Sequence, residues 1–256
     1  MKRSVFSLVL VAGSSACSGG ANVAPRATNA SQAASGLRSP QSIVCTSVVT
    51  STKGTQTAAL VATAGATVTG SVDAHGCNID VYVGSKAPGV TVTSATVTDA
   101  DDYGIFNDSA ANLTVANSAV QNTGNHSSGV YSPNGVQTGI AYYQTGGNAM
   151  LTGNTLRAYQ KNGTAVVNGG SVAMTGNTVI GAGPVAYIAQ NGIEVIGAAI
   201  TAFSNNHVSD NYYTGPKYFA TGYLLLGTGT SKEDVISNGN TSINNQHDYY
   251  INESAK

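Results

Sequence analysis

The sequence predicts an all-β chain wound into a right-handed parallel β-helix of about five to six rungs, and three observations predict it. A six-residue motif recurs along the chain, a glycine-led apolar run recurs in step with it, and the composition suits short strands joined by tight turns. The 256 residues include 31 glycines, no Trp and only 9% charged side chains. Long helix-forming side chains are therefore scarce, and β structure is favoured over helical bundles.

The motif reads apolar, small, any, Asn/Ser/Ala, any, apolar. It occurs as VTSATV from Val92, VANSAV from Val115, LTGNTL from Leu151, MTGNTV from Met174 and FSNNHV from Phe203, with a looser copy from Ile236. Successive starts lie 23, 36, 23, 29 and 33 residues apart, so the period stretches by insertion and returns to 23. Such a period is the signature of stacked repeats, each burying its apolar face against the next. Insertions between copies are loops.

The second marker is the set GIAYY from Gly139, GTAVV from Gly163, GIEVI from Gly192 and GYLLL from Gly222. Strand alternation places Ile140, Thr164, Ile193 and Tyr223 in one inward column, and Tyr142, Val166, Val195 and Leu225 in another. Ala141, Ala165, Glu194 and Leu224 then face outward. Asn154, Asn177 and Asn206 share one motif position, where each amide can bond its copy on the next rung. Gly104, Gly139, Gly163, Gly192 and Gly222 suit sharp bends with positive φ.

Three regions divide the chain. Residues 1–16 read as an export signal, with Lys2 and Arg3, a short apolar run over residues 5–12, and small residues before Cys17. The small residues resemble the lipobox of bacterial lipoproteins, which implies lipidation of Cys17 and a membrane anchor. Ser14 stands where that pattern prefers Leu, so ordinary cleavage with a free Cys17 stays open. Residues 17–40 are rich in Ala, Ser, Gly and Asn without apolar periodicity, which reads as a flexible tether. Residues 41–256 form the β-helix domain, whose first strands, over 42–83, are either a cap or a full rung. YYINE, from Tyr249, reads as the last strand. In an exported protein Cys45 and Cys77 are expected to pair as a disulfide, with two buried thiols as the alternative.

The formal net charge is −1, from 11 basic and 12 acidic residues, and the four arginines do not cluster. No basic face is available to neutralise phosphates, so nucleic acid is set aside as a partner.

On these motifs the chain resembles the right-handed parallel β-helix repeat proteins of the pectin-lyase-like superfold, over roughly residues 45–252. The runs HGCNIDVYVG from His75, YQKNG from Tyr159, GPVAYIAQNGIEV from Gly183 and SDNYYTG from Ser209 are similar to a group of bacterial exported β-helix proteins. The resemblance implies a cell-envelope or secreted location and a polysaccharide partner, either bound or processed by lyase, hydrolase or epimerase chemistry. The same fold also carries adhesins and tailspikes, so the alternative is a non-enzymatic structural or adhesive envelope protein. The oligomeric state is left open.

Candidate residues come from the less regular positions. Aligning rungs on their strand-opening glycines puts Asp102, Gln137, Lys161 and Gln190 in one column, with Tyr103, Thr138, Asn162, Asn191 and Thr221 in the next. With Tyr159, Glu194, Tyr212 and Tyr213 nearby, this stripe has the aromatic faces, amides and charges of a sugar-binding groove. The bland reading is a set of turn residues satisfying the backbone. Should chemistry occur there, Lys161 is the candidate base and Glu194 the candidate acid or base. Asp99, Asp101 and Asp102 are the Ca²⁺ candidate, against a solvated acidic turn; no other cofactor is required. His75, His126, His207 and His247 fall on separate rungs and suggest no zinc site.

Overall fold

The computed structural model describes residues 44–253. The export signal, Cys17 and the tether lie outside the described residues. The described chain is a parallel β-solenoid of about seven turns. The single helix among the described residues is the short Lys232–Ser237.

Each turn contributes a strand to a nine-stranded sheet. Its members, in spatial order, are Thr46–Thr50, Gly54–Val61, Ile79–Gly84, Tyr103–Asp108, Ile140–Thr145, Asn162–Val167, Asn191–Ile196, Thr221–Leu226 and His247–Asn252. All neighbours are parallel except the first pair. The segment left open as cap or rung supplies both. Gly54–Val61 and Ile79–Gly84 are members of the parallel stack, and Thr46–Thr50 folds back antiparallel at its end. Cys45 and Cys77 are bonded to each other, with Cα atoms 5.7 Å apart, and so tie this end of the chain to the turn below it. These N-terminal strands carry no clear copy of either motif, which is why the motifs alone count too few turns.

The second sheet has eleven strands. Thr91–Thr98 is long, and the next turn breaks in two, so that Leu113–Ala116 pairs with its first half and Ala119–Gln121 with its second. The break is the six-residue motif. At its third position Gly153 and Gly176 have φ of 65° and 66°, in the left-handed region that glycine enters without a Cβ penalty. The next residue turns its amide into the core. Asn154 Nδ2 donates to Asn177 Oδ1 (2.9 Å), Asn177 Nδ2 to Asn206 Oδ1 (2.9 Å) and Asn206 Nδ2 to Asn240 Oδ1 (2.8 Å). The expected asparagine ladder is thus present and one rung longer, and it ends where Asn240 Nδ2 donates to Val235 O of the helix (2.8 Å).

The core lies between the sheets. Val81, Ile105, Tyr142, Thr164, Ile193 and Tyr223 stack in one inward column, and Val83, Asn107, Gln144, Val166, Val195 and Leu225 in the next. They meet Val115, Leu151, Met174, Phe203, Val120, Val179 and Val208 from the second sheet. This register corrects the sequence-based alignment at one turn. Tyr142, not Ile140, stands beside Thr164, and Ile140 pairs with Asn162. Gly139 precedes its strand at φ 85°, opposite Lys161 rather than Gly163.

The other strand-opening glycines are not positive-φ bends. Gly104, Gly163, Gly192 and Gly222 lie inside strands, where an added Cβ would strike the second sheet or a neighbouring carbonyl. At Gly192 it would overlap Val208 and stand 2.8 Å from Gly222 O. Glycine is needed there because two backbones approach closely. Gly192→Ala should therefore cost about 1–3 kcal/mol by overpacking, and Gly192→Ala with Val208→Ala should recover part of it. Urea denaturation of both variants checks this; a tolerated Gly192→Ala would refute the close approach.

Candidate functional site

The outer face of the first sheet carries two side-chain columns. One runs Tyr103, Ile140, Asn162, Asn191, Thr221, His247, and the other Phe106, Tyr143, Ala165, Glu194, Leu224, Tyr250. The expected polar stripe is present from Asn162 onward. Before it, the two-residue register shift replaces Thr138 with Ile140 and Gln137 with Gly139.

A ribbon made of Thr46–Thr50 and the start of Gly54–Val61 covers the N-terminal part of this face. Val48 packs with Tyr103, Phe106, Ile140 and Ala165. Ser51 N donates to Asp108 Oδ2 (3.0 Å), and Ser51 Oγ lies 3.0 Å from Thr145 Oγ1. Beneath it Tyr103 and Tyr143 stack with centroids 4.7 Å apart. Beyond Tyr143 the face opens only toward the C-terminal turns: Asn162, Ala165, Asn191 and Thr221 are buried, Glu194 and Leu224 half-buried, and His247 and Tyr250 exposed.

Asp102 belongs to the ribbon contacts. Its carboxylate accepts from Lys53 Nζ (3.1 Å) and Gln56 Nε2 (2.7 Å). Asp101 and Asp99 turn instead to His126, with Oδ1 atoms 2.9 Å from Nδ1 and 3.6 Å from Nε2. The three carboxylates proposed to share Ca²⁺ are thus divided between two sets of partners. Among the described residues no group of three or more His, Cys, Asp or Glu is arranged to hold a metal ion. The histidines are less scattered than their spacing suggests, because the His75 and His126 rings lie 6.2 Å apart.

At the open end, a cavity of about 490 Å³ has Lys161 and Gln137 in its lining and Tyr187, Tyr213, Tyr218 and Phe219 as aromatic walls. That volume falls within the ~300–1,000 Å³ of small-molecule sites. Lys161 Nζ donates to Ala189 O (2.8 Å). Burial lowers the Lys161 pKa from its ordinary value, and the nearby Glu194 charge acts in the opposite direction. Glu194 is fixed by two amides, with Oε2 accepting from Asn191 Nδ2 (2.8 Å) and Asn162 Nδ2 (3.1 Å). Phe219 continues the aromatic surface, 4.5 Å from the His247 ring and 6.0 Å from Tyr250. Tyr218 is 68% exposed, and Phe219 and Tyr250 47% each.

Tyr187, Tyr218 and Phe219 come from loops, and three glutamines, Gln160 and Gln190 buried and Gln246 half-buried, bond backbone near the cavity. Gln160 Nε2 donates to Val136 O (2.6 Å), beside Gln137. Gln190 Oε1 accepts from Ala182 N (2.9 Å) while its Nε2 donates to Tyr159 O (2.7 Å). Gln246 Oε1 accepts from Ala220 N (2.8 Å), next to Phe219. Gln190, expected to touch ligand, is fully buried and bonds the backbone of Ala182, Tyr159 and Gln160 instead. Tyr159, expected in the groove, is also fully buried; its hydroxyl donates to Asn211 Oδ1 (2.7 Å) in the core. Sequence reasoning missed Gln160 and Gln246, although Gln246 immediately precedes its strand, as Gln190 does, and Gln160 stands one residue earlier.

Tyr212 and Tyr213 separate, as neighbours on a strand must. Tyr213 walls the cavity with Lys161, while Tyr212 lines another of about 420 Å³ with Pro184, Asp210 and Asn244. Lys161, Glu194, Gln137 and Tyr213 remain on or beside one surface, while Asn162 and Asn191 are buried and spend their amides on holding Glu194. Asp102, Tyr159, Gln190 and Tyr212 leave that surface.

Comparison with protein-family models, curated proteins and solved structures finds no match for the chain. The reading of the site rests on its own chemistry.

Proposed function

We propose that this is an exported, lipid-anchored protein of the cell envelope that binds a polysaccharide on the open outer face of its first sheet. The observation carrying this reading is the cavity walled by Tyr187, Tyr213, Tyr218 and Phe219, with Lys161 in its lining. Aromatic faces pack against the C–H faces of pyranose rings, while amides and charges take up hydroxyls. The export signal, the Cys17 lipobox and the resemblance to right-handed pectin-lyase-like β-helices agree with it.

A second reading adds processing of the same polymer. It is favoured by the nearness of Lys161 to Glu194: Lys161 would act as base and Glu194 as acid or base. Purified protein incubated with acidic polysaccharides, with and without Ca²⁺, would then generate unsaturated or reducing ends, and Lys161→Ala or Glu194→Ala would abolish them.

Glycan-array screening followed by affinity electrophoresis tests the binding. Phe219→Ala and Tyr218→Ala should each weaken it by roughly two- to tenfold, as expected for an aromatic contact worth about 0.5–1.5 kcal/mol. A passive envelope rod predicts no glycan retention at millimolar ligand and no effect of either substitution.

A further inference from the structure

We infer that Lys161 is a covalent capture site for carbonyl compounds, its amine forming a reversible imine with an aldehyde of the size of an open-chain sugar. The inference rests on the aromatic cavity and goes beyond the polysaccharide reading.

Two lysines show the contrast. Lys53 has a carboxylate counter-charge, Asp102, at 3.1 Å. Lys161 has no carboxylate within ion-pair distance among the described residues, and its one hydrogen bond there goes to a neutral carbonyl, Ala189 O. An ammonium removed from water without a paired anion is disfavoured relative to the amine, and the amine carries the lone pair that attacks carbonyl carbon. The lowered Lys161 pKa has the same cause, desolvation. The walls would hold the body of an aldehyde beside the nitrogen, replacing a bimolecular encounter with a positioned one.

The chemistry balances without an oxidant or reductant. The Nζ lone pair forms the C–N bond as the carbonyl π pair moves to oxygen, and a proton passes from nitrogen to oxygen to give the carbinolamine. Departure of that oxygen as water, with loss of the second nitrogen proton, leaves C=N. Glu194, close enough for its charge to act on Lys161 and held by Asn162 and Asn191, is the nearby group able to relay the proton.

The test is limiting glycolaldehyde with cyanoborohydride at neutral pH on the full chain, with peptide mapping by mass spectrometry. Lys161 should be alkylated on the order of tenfold faster than Lys53, Lys86, Lys217 and Lys232, and Lys161→Arg should remove the fast phase. Labelling spread evenly over these five of the chain's seven lysines, or a fast phase that survives Lys161→Arg, overturns the inference. Glycan binding is read separately: a protein that retains glycans but labels evenly loses only the capture site, and one that labels at Lys161 but retains none loses only the polysaccharide reading.

Discussion

Asn177→Ala should destabilise the solenoid by about 3–5 kcal/mol, an unusually large effect for one polar side chain. Asn177 makes four hydrogen bonds through its amide. Oδ1 accepts from Asn154 N (3.0 Å) and Asn154 Nδ2 (2.9 Å), and Nδ2 donates to Leu151 O (3.0 Å) and Asn206 Oδ1 (2.9 Å). Truncation leaves Asn154 N and Leu151 O without these partners in a buried interior, and Asn154 Nδ2 with only its bond to Val115 O (2.8 Å). Asn206 Oδ1 keeps one bond, from Asn177 N (3.1 Å). Each buried group left unsatisfied costs about 1–3 kcal/mol, and the local collapse that could relieve an apolar cavity cannot supply hydrogen bonds. Asn177→Asp should not restore the lost stability: a carboxylate can accept from Asn154, but it cannot donate to Leu151 O or Asn206 Oδ1 and sets a buried charge against those oxygens. Urea denaturation followed by circular dichroism measures both, and a loss under about 1 kcal/mol for Asn177→Ala would mean that the amide stack does not hold the turns together.

The features most legible in the sequence are those that every turn must repeat. The bend before Asn154 and Asn177 recurs because one left-handed residue and one inward amide close the corner of each rung, so selection of a small residue followed by Asn leaves a visible motif. The core columns after Gly163, Gly192 and Gly222 are legible for the same reason. The turn at Ile140 departs from the sequence expectation because Gly139-Ile140 copies the pattern while serving a different position: Ile140 faces outward, in one buried cluster with Val48 of the covering ribbon. Apolar identity cannot distinguish core from a covered outer face.

The candidate site was only partly legible. Lys161, Glu194, Asn162 and Asn191 lie on strands or at their starts, where the repeat fixes direction, and the structure brings them together, with Asn162 and Asn191 buried behind Glu194. Tyr187, Tyr218 and Phe219 come from inserted loops whose paths no period constrains. Phe219 is set in part by Gln246, whose bond to Ala220 N spans 26 positions and cannot be read from spacing. The ribbon over Tyr103 and Phe106 is illegible for a related reason. Its contacts with Asp102, Asp108 and Thr145 join residues 46 to 94 positions apart.

Asp80 carries the second large prediction, through an exception to the glycine column. Ile79 pairs with Tyr103 and Val81 with Ile105, so Asp80 occupies the position that later turns give to Gly104 and Gly163. Its carboxyl is fully buried, and neither oxygen has a well-formed hydrogen bond. Burial is the main force raising its pKa well above the ordinary value, and the charges of Asp99 and Asp73 add to it. The amides of Ala74 and Ala100 oppose the shift but too weakly to cancel it. A raised carboxyl favours the fold while protonated. That contribution is complete below the unfolded-state pKa and is lost as pH rises through the folded-state value, where the native protein must ionise a buried group. Asp80→Asn keeps the shape and removes the ionisation. It should stabilise the protein at neutral pH by on the order of 2–4 kcal/mol, the scale of an unpaired buried charge, and the gain should shrink toward zero as pH falls below the ordinary aspartate range. Urea midpoints of both proteins across acid to neutral pH give the comparison. A gain that does not change with pH would trace the effect to packing, and a loss at neutral pH would show that the ionised carboxylate has partners that hold it in place.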